Sequence, residues 1–185
     1  MFRRPELNWG ILGTARIAEK AVVPALVSVK HTPVIAVASR DLTRAQEFAA
    51  LFEIPRAYGT YDELLADSNV QAVYIPLPNS EHAPWAIKAM QAGKHVLVEK
   101  PFALNSDDAH MMVSTALENN VVLMEGFMYR YSERFEKIYE IVRAGTIGKV
   151  RLVQSGFSFP LSNPDDIRLS SDLGGGALYD LGCYC

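Results

Sequence analysis

Apolar and polar positions follow two periods along the chain. Short apolar runs rich in β-branched residues read as buried strands. Between them, apolar residues recur every three or four positions, the pattern of helices packed on a core. Strands are expected at 6–13, 32–39, 70–75, 94–100 and 121–126, and helices at 14–29, 42–52, 61–67, 81–93, 105–120 and 132–145. The segment 42–52 shows the helical period well, with Ala45, Phe48, Ala49 and Phe52 on one face. Pro24 should bend or interrupt the first helix. Gly93 and Gly145 close two others, and Asn105 or Ser106 caps the helix that follows. Pro76 and Pro78 keep 76–80 out of helix and central strand. Strand and helix alternate with short connections, which predicts an α/β doubly wound domain with a mostly parallel sheet.

The pattern changes at Gly148. Residues 149–160 alternate imperfectly (Val150 and Leu152 against Arg151 and Gln154) and are expected to form a strand of a different sheet. Residues 161–176 are loop-rich. A boundary near 121–148 divides the chain into a first domain, 1–125, and the start of a second, 126–185. The closing stretch GGGALYDLGCYC reads as a glycine hinge followed by a helix, with Asp180 and Tyr184 one turn apart on the same face.

Composition narrows the function classes. Of 185 residues, 49% are hydrophobic and 21% charged, with a net charge of −3, so no basic footprint suggests nucleic acid or an anionic membrane surface. No apolar run approaches the ~18 residues of a membrane span. The first residues carry two arginines but no long apolar core, which is not a secretory signal. Cys183 and Cys185 are the only cysteines and stand too close to pair well. A reducing, cytoplasmic location is expected. No His or Cys set has metal-ligand spacing.

The candidate chemistry falls at strand ends. After the first strand, Gly13, Ala15 and Ala18 fit a G-x-G-x-x-G/A turn with alanine at the second position. Gly13 permits the tight turn, and the helix start offers amides and positive dipole to a pyrophosphate. Thr14, Arg16 and Ile17 lie in the same turn, and Arg16 adds charge. At the second strand end stand Ser39 and Arg40, then Asp41. A basic residue there suits the extra phosphate of NADP, a carboxylate the ribose of NAD. The expectation is NADP, with NAD open; the alternative makes Arg40 a solvated loop residue and Asp41 a helix cap. Pro76, Leu77 and Asn79 follow the third predicted strand, with Asn79 reaching nicotinamide or ribose, and His82 either contacts the cofactor or packs. At the next strand end, Glu99, Lys100 and Pro101 face the ligand crevice. Lys100 can hydrogen-bond a substrate hydroxyl and lower the pKa of a neighbouring acid such as Tyr184. Asp180 can orient substrate hydroxyls or the lysine.

GILGTARIA, GKHVLVEKP and GGGALYDLGCY, in that order, together with PLPN (76–79) and EGFMYRY (125–131), resemble the Gfo/Idh/MocA oxidoreductase family over essentially the whole chain. The resemblance implies an N-terminal dinucleotide-binding domain and a C-terminal domain built on a mostly antiparallel sheet. It implies hydride transfer between a nicotinamide cofactor and a sugar or cyclic alcohol, with Lys100 catalytic and Pro101 shaping the nicotinamide site. Aspartate, three residues, then tyrosine (Asp180 and Tyr184) is similar to the branch of glucose–fructose oxidoreductase, dihydrodiol dehydrogenases and NADP-xylose dehydrogenases. The family implies a longer chain, so truncation of the substrate domain is expected, and with it a homo-oligomer for the full-length form. Two departures stand out: Ala15 for glycine, and Ser132-Glu133 where many relatives have His-Pro. The alternatives are a dihydrodiol dehydrogenase-like enzyme, or a fragment or sensor that binds cofactor without turnover.

Overall fold

The computed structural model describes residues 6–185. Residues 1–5, on which the expectation of no secretory signal partly falls, lie outside the described residues. Six parallel strands form one sheet: β1 (Trp9–Leu12), β2 (Val34–Ala38), β3 (Arg56–Tyr58), β4 (Ala72–Ile75), β5 (His95–Val98) and β6 (Leu123–Glu125). Their order is β3-β2-β1-β4-β5-β6. The direction of winding reverses between β1 and β4, and in such sheets a ligand crevice opens beyond the carboxyl ends at that point.

The strands are apolar because both faces are covered. Alternate residues enter opposite halves of the core. Leu12, Val73, Ile75 and Val98 pack with Leu64, Met90 and Met112 on one side. Ile11, Val37 and Tyr74 pack with Val23, Phe48 and Ile54 on the other. The covering helices are α1 (Val23–Ser28), α2 (Leu42–Leu51), α3 (Tyr61–Ala66), α4 (His82–Gln91) and α5 (Ser106–Glu118). Side chains start several of them. Asp41 accepts from the amides of Thr43 and Arg44, Thr60 and Glu63 form a capping box, and Asn105 accepts from Asp108. Pro24 acts through a π-helical turn at Ala18–Val22, where the Val23 amide reaches back to the Ala18 carbonyl. Proline has no amide to donate one position later, and the wider turn accommodates it.

Three expectations are corrected. β3 was not foreseen, since Arg56-Ala57-Tyr58 has no apolar run to announce it. Residues 149–160 form no strand and are exposed; a strand needs a partner for its backbone groups, and none of the described strands pairs with this segment. The last helix is broken. α6 (Glu133–Arg143) is regular, but α7 (Ala177–Asp180) ends at Leu181, and a separate 3-10 turn holds Gly182–Tyr184. Asp180 and Tyr184 therefore do not share the face of one continuous helix. Among the described residues, no helix is long and apolar enough to cross a membrane.

Candidate active site

A groove of about 650 Å³ lies at the carboxyl ends of β1, β2 and β4. The first turn supplies one wall through Gly13, Thr14 and Ala15; Ser39, Arg40, Asp41 and Arg44 supply a second; Pro76, Leu77 and Pro78 supply a third. Gly13 has a positive φ of 105°, and a Cβ there would sit 2.9 Å from the Leu77 side chain. Only glycine holds this turn without strain while keeping the groove open.

Arg40 and Arg44 converge near Tyr61. Burial pushes the Tyr61 phenol up, and the two guanidiniums oppose that shift. Asp41 lines the same wall, but its carboxylate accepts the first amides of α2. Its role as a helix cap is thus established, and two arginines supply the cationic charge of this wall. Arg44 was missed from sequence, although a basic residue four positions after Arg40, on the helix opening at the same tip, was a usable signal. Trp85 and Ile167 also line the groove and carried no such signal. Arg16 and Ile17 are exposed and do not border it.

At the end of β5, the Lys100 Nζ donates to Asp180 twice, at 2.8 Å to the Oδ1 carboxylate oxygen and 2.7 Å to the backbone carbonyl. Both side chains are largely buried, 16% and 17% exposed. The second Asp180 oxygen, Oδ2, lies 3.3 Å from Nε of Arg168. The Lys100–Pro101 peptide is cis. Glu99 accepts a 2.6 Å hydrogen bond from Tyr74.

Tyr184 packs edge-on against Phe127, Tyr129 and Phe157. Lys100 Nζ lies 5.2 Å from the centre of its ring. Burial, reinforced by the negative charges of Glu99, Cys183, Asp180 and Glu125, pushes its pKa up to about 12. This corrects the expected lowering by Lys100: the ammonium is committed to Asp180, so desolvation and the surrounding acids prevail.

Of the two readings open for His82, the structure shows packing, and the expectation for Asn79 changes. His82 is fully buried. Its Nδ1 is 2.7 Å from the Pro101 carbonyl oxygen and its Nε2 2.9 Å from that of Leu77, so the ring is wedged between the β4 loop and the β5 end, with one N–H to donate when neutral, and does not face the groove. Burial pushes its pKa down. Asn79, expected at nicotinamide or ribose, donates its Nδ2 to the Gly174 carbonyl at 2.8 Å. Among the described residues, no three His, Cys, Asp or Glu side chains are grouped to hold a metal ion.

Residues 7–127 match the oxidoreductase family with an NAD-binding Rossmann fold, Gfo/Idh/MocA, and residues 135–185 match the C-terminal domain of the same family. The chain belongs to the Gfo/Idh/MocA oxidoreductase family. Among its relatives is the D-xylose 1-dehydrogenase (NADP(+)) 2 of Haloferax volcanii, 46% identical over 96% of this chain and 54% of that protein. Another is the trans-1,2-dihydrobenzene-1,2-diol dehydrogenase of Mus musculus, 41% identical over 97% of this chain and 54% of that protein. The fold also superposes on KijD10, a 3-ketoreductase from Actinomadura kijaniata in complex with NADP and TDP-benzene. That match has a TM-score of 0.91 and 37% identity, covering 97% of this chain and 55% of that one. The chain thus spans about half the length of the curated relatives it matches.

Proposed function

We propose that this protein transfers hydride between NADP and a carbon bearing a hydroxyl or carbonyl on a sugar or cyclic alcohol. The observation that carries this reading is the largely buried Lys100–Asp180 pair at the crevice end of β5, in a chain that also carries a glycine-cradled groove. The residues fit the cofactor. The Gly13 turn leaves backbone room for a pyrophosphate, and Arg40 and Arg44 supply two cations for the 2′-phosphate. NADP-bound KijD10 and the NADP-dependent xylose dehydrogenase support that choice. Residues 126–185 are the opening part of the substrate domain in this proposal.

When bound, the nicotinamide accepts or supplies the hydride; the chain's own residues manage position and the proton. An ammonium has three N–H donors. Asp180 takes two from Lys100, which leaves one for the oxygen of the reacting carbon. A cation there stabilises the negative charge that gathers on that oxygen during carbonyl reduction. The Tyr184 phenol, protonated well above neutrality, suits the donor's part in that direction. For alcohol oxidation the same group must first lose its proton, so that direction gains with pH.

Fluorescence titration with NADPH and NADH tests the cofactor, and a screen of aldoses, ketoses, polyols and trans-dihydrodiols on the full-length protein tests the substrate. NADPH is expected to bind more tightly by about 10- to 100-fold, the worth of one or two charge-assisted contacts. The Arg40→Ala, Arg44→Ala double variant is expected to erase that preference. Tighter binding of NADH would overturn the assignment.

A further inference from the structure

We infer that Arg168 is a positioning residue for the Asp180 carboxylate, setting it so that Lys100 meets it squarely. This rests on the proposed role of the Lys100–Asp180 pair. Asp180 is divided between two cations, with Oδ1 on Lys100 at 2.8 Å and Oδ2 on Nε of Arg168 at 3.3 Å. The guanidinium is itself braced: Nη1 lies 3.3 Å from Asp166, and its carbon sits 5.7 Å from the centre of the Phe159 ring.

The glycine run explains how these groups meet. The Gly176 amide donates to the Arg168 carbonyl at 2.8 Å. A Cβ on Gly175 would lie 2.6 Å from the same oxygen, and one on Gly174 would strike Leu104 and Asn79. The run therefore folds back tightly on Arg168 and delivers α7, with Asp180 at its end, beside the guanidinium. The neighbouring Ile167 borders the dinucleotide groove, so one short segment touches both the groove and the carboxylate. A planar fork can hold Asp166 and Asp180 together, which a lysine ammonium cannot reproduce.

The test compares Arg168→Gln, Arg168→Lys and Arg168→Ala in the full-length protein, with Lys100→Met as the control. In all three, kcat is expected to fall by roughly 10- to 100-fold, the scale of an ångström-level misplacement. KM for the sugar should move less than kcat, and the NADPH Kd should stay within about twofold. Methylguanidinium added to Arg168→Ala should restore part of kcat. Unchanged kcat, or a loss that tracks NADPH affinity and Tm without rescue, would overturn the inference. If Lys100→Met kept full activity, the functional reading beneath it would fall as well. A dead Lys100→Met beside intact Arg168 variants would overturn the role of Arg168 alone.

Discussion

Asp67 and Asp180 are both sheltered carboxylates held by cations, and they are assembled in opposite ways. Asp67 is enclosed by its own neighbourhood: Arg56 at 2.6 Å, the Tyr58 hydroxyl at 3.0 Å, and the amide and side chain of Asn69, each at 2.9 Å. Lys94 closes the same corner from β5's approach, donating to the carbonyls of Asp67 and Val70. Each Asp67 carboxylate oxygen accepts two hydrogen bonds from residues within 11 positions, and the cluster joins β3, the end of α3 and the approach to β4. Asp180 meets its lysine across 80 positions of sequence, beside the sheet's ligand edge, and each of its carboxylate oxygens faces a single cation. A local cluster whose carboxylate oxygens are filled holds a fold together; one assembled from distant segments at the ligand edge, with acceptor sites to spare, can act on something else.

The largest effect that should separate the two is on turnover. Lys100→Met is expected to lower kcat by about 1000-fold, the scale of losing a preorganised donor at the reacting oxygen, with a smaller loss of Tm because Arg168 still faces Asp180. A variant that lost Tm and kept turnover would reverse the comparison. Next comes Asp67→Ala, which strands Arg56 and Tyr58. It is expected to cost about 2–4 kcal/mol, read as a drop in Tm of roughly 5–12 °C, while NADPH affinity of the folded fraction is kept.

The acid side sharpens the same point. Burial works against the Asp67 anion, but the hydrogen bonds from Asn69, Arg56 and Tyr58 prevail and hold its carboxyl well below the usual range. Its contribution is therefore complete above the ordinary carboxylate pKa and is lost as pH falls through the lowered folded value. Acid unfolding followed by circular dichroism should show a stability difference between wild type and Asp67→Ala that shrinks on acidification; a constant difference would contradict it. The smallest effect belongs to Tyr184. With its phenol pushed up to about 12, the rate of carbonyl reduction should show no falling limb from Tyr184 below about pH 10. A limb near neutrality that vanished in Tyr184→Phe would show that the phenol titrates there.

Much of the sheet was legible because its strands are buried on both faces, so apolar runs such as Val34–Ala38 and Ala72–Ile75 declare themselves. β3 was hidden because its Arg56 and Tyr58 serve Asp67 rather than the core. The break at Leu181 and the unpaired 149–160 segment depend on tertiary partners, which local periodicity does not report. In the site, Gly13 and Lys100 could be found because a tight turn and a charge before proline leave marks in the local sequence. Arg168 left no local mark, because it meets a residue 12 positions later only through a glycine fold; for His82 packing was one of two open readings, and the two carbonyls that decide it come from separate strand ends.

In the proposed reaction, Lys100 and Asp180 work as one unit. A double-mutant cycle of Lys100→Met and Asp180→Asn, reading kcat in the full-length protein with NADPH Kd as control, tests it most directly. The double variant is expected to be about as slow as the slower single variant, with cofactor affinity retained in all. Losses that multiply independently would contradict it.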